Sequence, residues 1–399
     1  MQNALLSILF FFSFSAPAQL LPGIWRGELS LNDTTVLPFN FQVYESNLDL
    51  MNGEERINLS DITYTSDSVF LQLPVFNSEF RCKMNDRNLS GNFYNYTRKS
   101  NNILSFEAEQ NAAYRFSEKP ESPYMNLSGR WQAIFDDEAP ESKMSVALFH
   151  QDGNHLTGTF LTTTGDYRYL EGEVSGQKVS LSAFDGSHAF LFTATIQKDG
   201  TLIGDFYSGT HYHETWSAFR NEKAELPDAE SLTFIKPGYD KLDFKFPDEY
   251  GDSLSIRDPQ FLNKVLIVTL TGTWCPNCMD ETRFLVDFYS TYKAKGVEII
   301  ALDYERVLDS ATVKKSISKL KKQLGVEYPV LFAGTNDREE AAKTLPMLNR
   351  ILGYPTTIVI DKKGIVRKIY TGFSGPATGA DYVSFKESFL RFINKLIVE

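Results

Sequence analysis

Apolar and polar residues alternate along much of the first 220 positions. Val179-Ser180-Leu181-Ser182-Ala183-Phe184 and Phe190-Leu191-Phe192-Thr193-Ala194-Thr195-Ile196 are two such segments. A period of two sends successive side chains to opposite faces of a strand. Asn52-Gly53, Asp152-Gly153, Asp185-Gly186 and Asp199-Gly200 punctuate the region, and such dipeptides suit the positive φ of tight hairpins. The pattern predicts antiparallel β structure, and it repeats. Gly23-Ile24-Trp25 returns as Gly129-Arg130-Trp131, and Leu89-Ser90-Gly91-Asn92-Phe93-Tyr94 as Leu202-Ile203-Gly204-Asp205-Phe206-Tyr207. Two small antiparallel barrels or sandwiches, over 19–120 and 121–222, are expected from this duplication. Phe80, Cys82 and Met84 share one strand face, which makes Cys82 a buried core thiol.

The pattern changes after a linker at 223–240, which Pro227, Asp228 and Pro237 interrupt. Within 241–399, apolar runs of strand length alternate with segments of helical period. Val265-Leu266-Ile267-Val268-Thr269-Leu270 predicts a buried strand, and Phe284, Leu285, Phe288 and Tyr289 mark the apolar face of the following helix. Strands are expected at 297–302, 328–332 and 358–360. Helices are expected at 309–324, where the lysines read as a solvated face, and at 337–351 and 382–397. This alternation predicts an α/β domain, a central sheet with helices on both faces.

A chain of 399 residues suits two or three domains. Residues 1–231 carry 16 basic and 30 acidic side chains, a net of −14, whereas 232–399 carry 24 and 21, a net of +3. The asymmetry marks a domain boundary, and without a basic stripe in either half nucleic acid is not an expected partner. The apolar run 4–14 is too short to span a bilayer, and Ala16-Pro17-Ala18 follows it. That predicts a signal peptide over 1–18, cleaved near Ala18, an extracytoplasmic (periplasmic) location and no membrane span in the mature chain. A buried N-terminal helix is the alternative.

Candidate chemistry centres on Trp274-Cys275-Pro276-Asn277-Cys278, placed where a strand turns into a helix. Unpaired N–H groups and the positive end of the macrodipole favour an anion there, so a thiolate is stabilised. A zinc site needs four ligands, and Cys82 is the only other cysteine and far away. A purely structural disulfide would close too short a loop to constrain the unfolded chain much. The spacing therefore points to a redox dithiol. The five histidines, His150, His155, His188, His211 and His213, all lie in the second repeat. His211 and His213 share a strand face near Glu214, and they read as surface residues ahead of a metal site.

A proline opening a strand in Gly353-Tyr354-Pro355-Thr356-Thr357 suggests a cis peptide. Four features now stand together over 244–399: the Trp-Cys-x-x-Cys, the Tyr-Pro-Thr loop, the segment Gly-Phe-Ser-Gly-Pro-Ala-Thr-Gly at 372–379, and Glu281. This half resembles the TlpA/ResA-like thiol–disulfide oxidoreductases of the thioredoxin superfamily, which work outside the cytoplasm. The resemblance implies a thioredoxin-like fold with a helical insertion and a redox-active Cys275–Cys278 disulfide. Cys275 would be the exposed nucleophile and Cys278 the resolving thiol. Pro355 would be the cis-proline facing the dithiol, with Tyr354 and Trp274 meeting a bound peptide. Glu281 would exchange protons with Cys278, the alternative being a solvated first-turn carboxylate, which is the reading for Asp280. Thr269 stands where thioredoxin has a buried Asp, and Thr282-Arg283 where relatives often have a proline.

The expected partners are disulfide-containing or dithiol proteins and an upstream electron donor, with no cofactor. Uncharged Asn277 between the cysteines favours a reductant over an oxidant. Gly272 occupies the position of the threonine in thiol peroxidases, which argues against that activity. The Gly-x-Trp pairs resemble the start of lipocalin-like barrels. A second reading therefore makes the β repeats a ligand- or envelope-binding module, with a redox-sensing or docking domain attached.

Overall fold

The computed structural model describes residues 19–136 and 143–399; the expected signal peptide lies outside them. Alternating residues of the first β region are buried, as in Ile103–Gln110, whose glutamates face out while Leu104, Phe106 and Ala108 face in. Nine strands pair as an antiparallel meander, and Gly23–Ser30 returns to pair with Ile103–Gln110. The sheet stays open only between Glu55–Leu59 and Ile62–Tyr64. The second sheet closes fully, because Lys143–Asp152 pairs with both Gly129–Phe135 and His155–Thr162. Only the two-residue strand Gly165–Asp166 stays outside that ring. Barrels, rather than sandwiches, are what the alternation builds.

The duplication reaches the level of atoms. Trp25 Nε1 donates to the Leu21 carbonyl at 2.9 Å, and Trp131 Nε1 to the Leu127 carbonyl at 2.8 Å. Gly23 and Gly129 precede them with φ of 126° and 123°. Both interiors are filled with rings. Phe192 lies 4.4 Å from Phe206 and 4.6 Å from Phe160, centroid to centroid. Phe184 of the second barrel enters the core of the first, 4.8 Å from Phe39, so the two barrels share apolar packing. Cys82 is 3 % exposed, and burial pushes its thiol up to about 12.

The C-terminal half is built on five strands in the order Val330–Thr335, Val297–Glu305, Val265–Thr271, Thr356–Ile360, Val366–Thr371. The first three are parallel and the last two antiparallel to their neighbours. Every residue of Val265–Thr271 is buried, which requires cover on both faces of the sheet. Helices Pro276–Tyr292, Ser310–Leu324 and Ala380–Val398 pack with it. The helix expected over 337–351 covers only Arg338–Thr344, because Pro346 lacks the N–H a continuing helix needs and restricts the residue before it. The segment 223–240 is mostly exposed and is anchored at points, with Lys236 N–H on the Met347 carbonyl at 2.8 Å and Ala224 against Val146 and Leu161. One further expectation changes. Lys319 is no solvated charge: its Nζ donates to the carbonyls of Leu73 and Phe76 in the first barrel at 2.9 and 2.6 Å.

Candidate active site

The strand Val265–Thr271 delivers the chain to the dithiol, and the Pro276–Tyr292 helix starts on it. Cys275 is the N-cap and Pro276 the first helical residue, where a missing N–H costs nothing. The Cys275 sulfur accepts the Cys278 N–H at 3.2 Å and is disulfide-bonded to Cys278. Tyr354-Pro355 is cis, and the Tyr354 carbonyl lies 3.7 Å from the Cys275 sulfur. Trp274 donates through Nε1 to the Tyr304 carbonyl at 2.8 Å and meets Tyr354 edge-on at 5.9 Å. The structure thus brings Trp274, Cys275, Cys278, Tyr354 and Pro355 together.

Glu281 lies one turn beyond Cys278 and is 4 % exposed, so the solvated reading does not hold. Thr269 and Thr357 donate hydroxyls to its two oxygens at 2.5 and 2.6 Å. Burial pushes its pKa up to about 7, the two hydroxyls offsetting part of the rise. Thr269, the departure from thioredoxin, is therefore a direct partner of this carboxyl.

Asp280 is also buried, against expectation. Its carboxylate pairs with Arg168 of the second barrel and with Arg283 at 2.9 Å. Arg168 is 4 % exposed and also pairs with Glu55 of the first barrel, with Asp185 at 3.3 Å, and with the Pro276 carbonyl at 3.1 Å. One guanidinium joins all three parts of the chain. Nearby, Asn277 Nδ2 donates to the Asp166 carbonyl at 2.8 Å and Ser187 Oγ to the Trp274 carbonyl at 2.7 Å. Asp166 accepts the Gly375 N–H at 2.6 Å, and burial with Asp280 nearby pushes it up to about 6.

The loop carrying these contacts sits on the motif. Gly165 has φ of 138°, and a side chain there would meet Asn277 Nδ2 at 2.5 Å, so both conformation and space require glycine. Thr164 abuts Gly353 and Gly372. The exposure implied for Cys275 is accordingly not found: it is 5 % exposed and Cys278 0 %, because the second barrel packs over this face. Beneath the Thr273-Trp274 turn, Glu305 accepts the Thr273 N–H at 3.0 Å. Burial raises both Glu305 and its neighbour Asp303.

Asp166, Arg168, Asp280 and Glu305 were not legible as site residues. Each acts on a partner far away in sequence, and no spacing signals such a pair. His213 bonds Asp205 at 2.8 Å, and among the described residues no group of three or more His, Cys, Asp and Glu side chains is placed to hold a metal ion.

A five-stranded sheet, a Cys-x-x-Cys disulfide at a helix N-terminus and a facing cis-proline loop define a thioredoxin-like oxidoreductase. The Redoxin family model matches residues 236–383. The chain is 29 % identical over 140 residues to the thiol-disulfide oxidoreductase ResA of Geobacillus kaustophilus (strain HTA426), covering 35 % of this chain and 72 % of that protein. With ResA of Bacillus subtilis (strain 168) it shares 27 % over 150 residues, 38 % of this chain and 75 % of that protein. Among solved structures, a thiol:disulfide interchange protein of Chlorobium tepidum TLS aligns over 40 % of this chain and 95 % of its own, at 22 % identity and a TM-score of 0.31. The C-terminal half is a TlpA/ResA-like member of the thioredoxin superfamily.

Proposed function

We propose that the protein is an extracytoplasmic thiol–disulfide oxidoreductase that reduces disulfides of partner proteins through Cys275 and Cys278. The observation that carries this reading is the Cys275-Pro276-Asn277-Cys278 disulfide at a helix N-terminus, facing the Tyr354-Pro355 loop, with Glu281 buried one turn behind. The apolar run at 4–14 followed by small residues supports the location. In the reduced protein, the Cys275 thiolate attacks one sulfur of a substrate disulfide, and the other leaves as a thiolate. Cys278 then gives its proton to Glu281 and attacks the Cys275 sulfur, releasing the second substrate thiolate and forming the disulfide. An upstream dithiol returns the two electrons. A pKa near 7 suits Glu281 both to accept and to return that proton. Trp274, Tyr354 and Pro355 form the surface a substrate meets. The aromatic packing inside both barrels leaves the β region to act through its contacts with the motif.

The test is substitution of each cysteine. Cys275→Ser should abolish reduction of insulin disulfides, while Cys278→Ser should accumulate a mixed disulfide. Alkylation of Cys278 before Cys275 near neutral pH would reverse the roles.

A further inference from the structure

Where the second barrel meets the redox half, a cleft of about 390 Å³ opens beside Cys275. Trp274, Tyr354, Arg306 and Arg338 of the redox half line it together with Tyr167 and His188 of the second barrel. Its charges are unbalanced. Arg306 lies over the Trp274 ring at 4.1 Å, and its Nη1 is buried without a hydrogen-bond partner. Arg98 of the first barrel and His211 of the second line a separate small recess with Ser187, near enough for Arg98 and Arg306 to repel and for both to act on His211.

Among the described residues, none of Arg98, Arg306 and Arg338 has a carboxylate within 4.0 Å. Other buried arginines differ: Arg115 is paired with Glu171 at 2.7 Å, and Arg168 with three acids. The acids near the cleft are already engaged. Asp166 holds the Gly375 N–H, Asp185 pairs with Arg168 and lies 3.4 Å from His188, and Glu305 holds the Thr273 N–H. Burial and the nearby Arg98 lower Arg306 to about 10; burial with Arg98 and Arg306 lowers His211 to about 4. Desolvation is the larger cause of both shifts; Arg98 adds to each, and Glu305 opposes the shift at Arg306. The first barrel, through Arg98, and the redox half, through Arg306 and Arg338, thus bring cations to one side of the dithiol in an acidic chain.

An unpaired, partly desolvated guanidinium gains strongly from a carboxylate, and the volume accommodates a few side chains of a bound segment. We propose that this cleft is a specificity subsite for an acidic polypeptide segment, a disulfide flanked by Asp or Glu. Arg306 and Arg338 take the carboxylates, and Trp274 and Tyr354 take the adjoining apolar surface. The proposal rests on the oxidoreductase reading and names its substrate class.

The experiment uses the full-length protein, reduced and recycled with dithiothreitol, and three disulfide peptides that differ only in Glu, Gln or Lys beside the cystine. The Glu peptide should show kcat/KM about tenfold above the Gln peptide, and the Lys peptide should fall below it. Raising ionic strength should shrink the Glu-to-Gln ratio. Arg306→Gln and Arg338→Gln should each reduce that ratio, with Arg306→Lys restoring part of it. A loss of structure would lower both rates and leave the ratio intact, so the ratio isolates the charge effect. Equal rates for the three peptides, or a ratio unmoved by both arginine substitutions, would overturn the charge selection and leave the oxidoreductase reading standing. Failure to reduce any of the three peptides would overturn both.

Discussion

Glu281 shows what a single side chain owes to its neighbours. Six positions after Cys275 it lies in the helix's second turn, and sequence alone allows it to be either solvated or buried. The fold buries it one turn beyond Cys278 with Thr269 and Thr357 as donors. Its pKa is raised from 4.5 to about 7, so folding favours the protonated form. The stabilisation is full below about pH 4.5 and is lost as pH rises through 7, a change of about 3 kcal/mol at the linkage rate for one group. Glu281→Gln should remove this slope: in urea denaturation, wild type minus variant should shift against the wild type between pH 4.5 and 8. The variant should also alter the pH profile of thiol alkylation while still forming the Cys275–Cys278 disulfide. Parallel stability curves with superimposable alkylation profiles would confine Glu281 to packing.

At the scale of elements, most strands and helices follow from local pattern. The Ser310–Leu324 helix begins after Asp309, whose side chain accepts from Ala311 and Thr312, and ends at Gly325 with φ of 69°; such caps are readable in sequence. The irregular loop at 162–168 is different. Its value lies in Arg168, which is held at φ of 58° and joins acids from three separate segments of the chain. Arg168→Gln would leave Asp280, Glu55 and Asp185 buried without their shared cation. The expected loss is about 3–5 kcal/mol in chemical denaturation, with faster alkylation of reduced Cys275 as the loop lifts. A loss below about 1 kcal/mol would mean the acids find other partners or water.

For the whole molecule, the β region covers the redox half. Val75 and Phe76 of the first barrel join its apolar core, and the second barrel contributes the contacts around the motif. Residues 231–399 are proposed to fold alone, since their sheet and helices supply most of that core. Circular dichroism should show a folded domain of lower melting temperature. Cys275 in its reduced form should react with iodoacetamide at least about tenfold faster than in the full chain, because accessibility limits a buried thiol. An unfolded fragment would make the barrels part of the core; an unchanged alkylation rate would mean the loop does not restrict access.

The local grammar of the fold is written in the amino-acid sequence. It contains the two-residue alternation of the barrels, their duplication around Gly23-Ile24-Trp25 and Gly129-Arg130-Trp131, the strand–dithiol–helix order and the Tyr354-Pro355 loop. These depend on residues adjacent in the chain or one period apart, so pattern reveals them. Packing of distant segments is what makes Arg168 meet Asp280, Thr269 and Thr357 hold Glu281, the second barrel cover Cys275, and Arg98 and His211 line one recess. The longest of those contacts join residues more than a hundred positions apart. Their energies arise from burial and unscreened charge, which exist only once the chain has packed and excluded water.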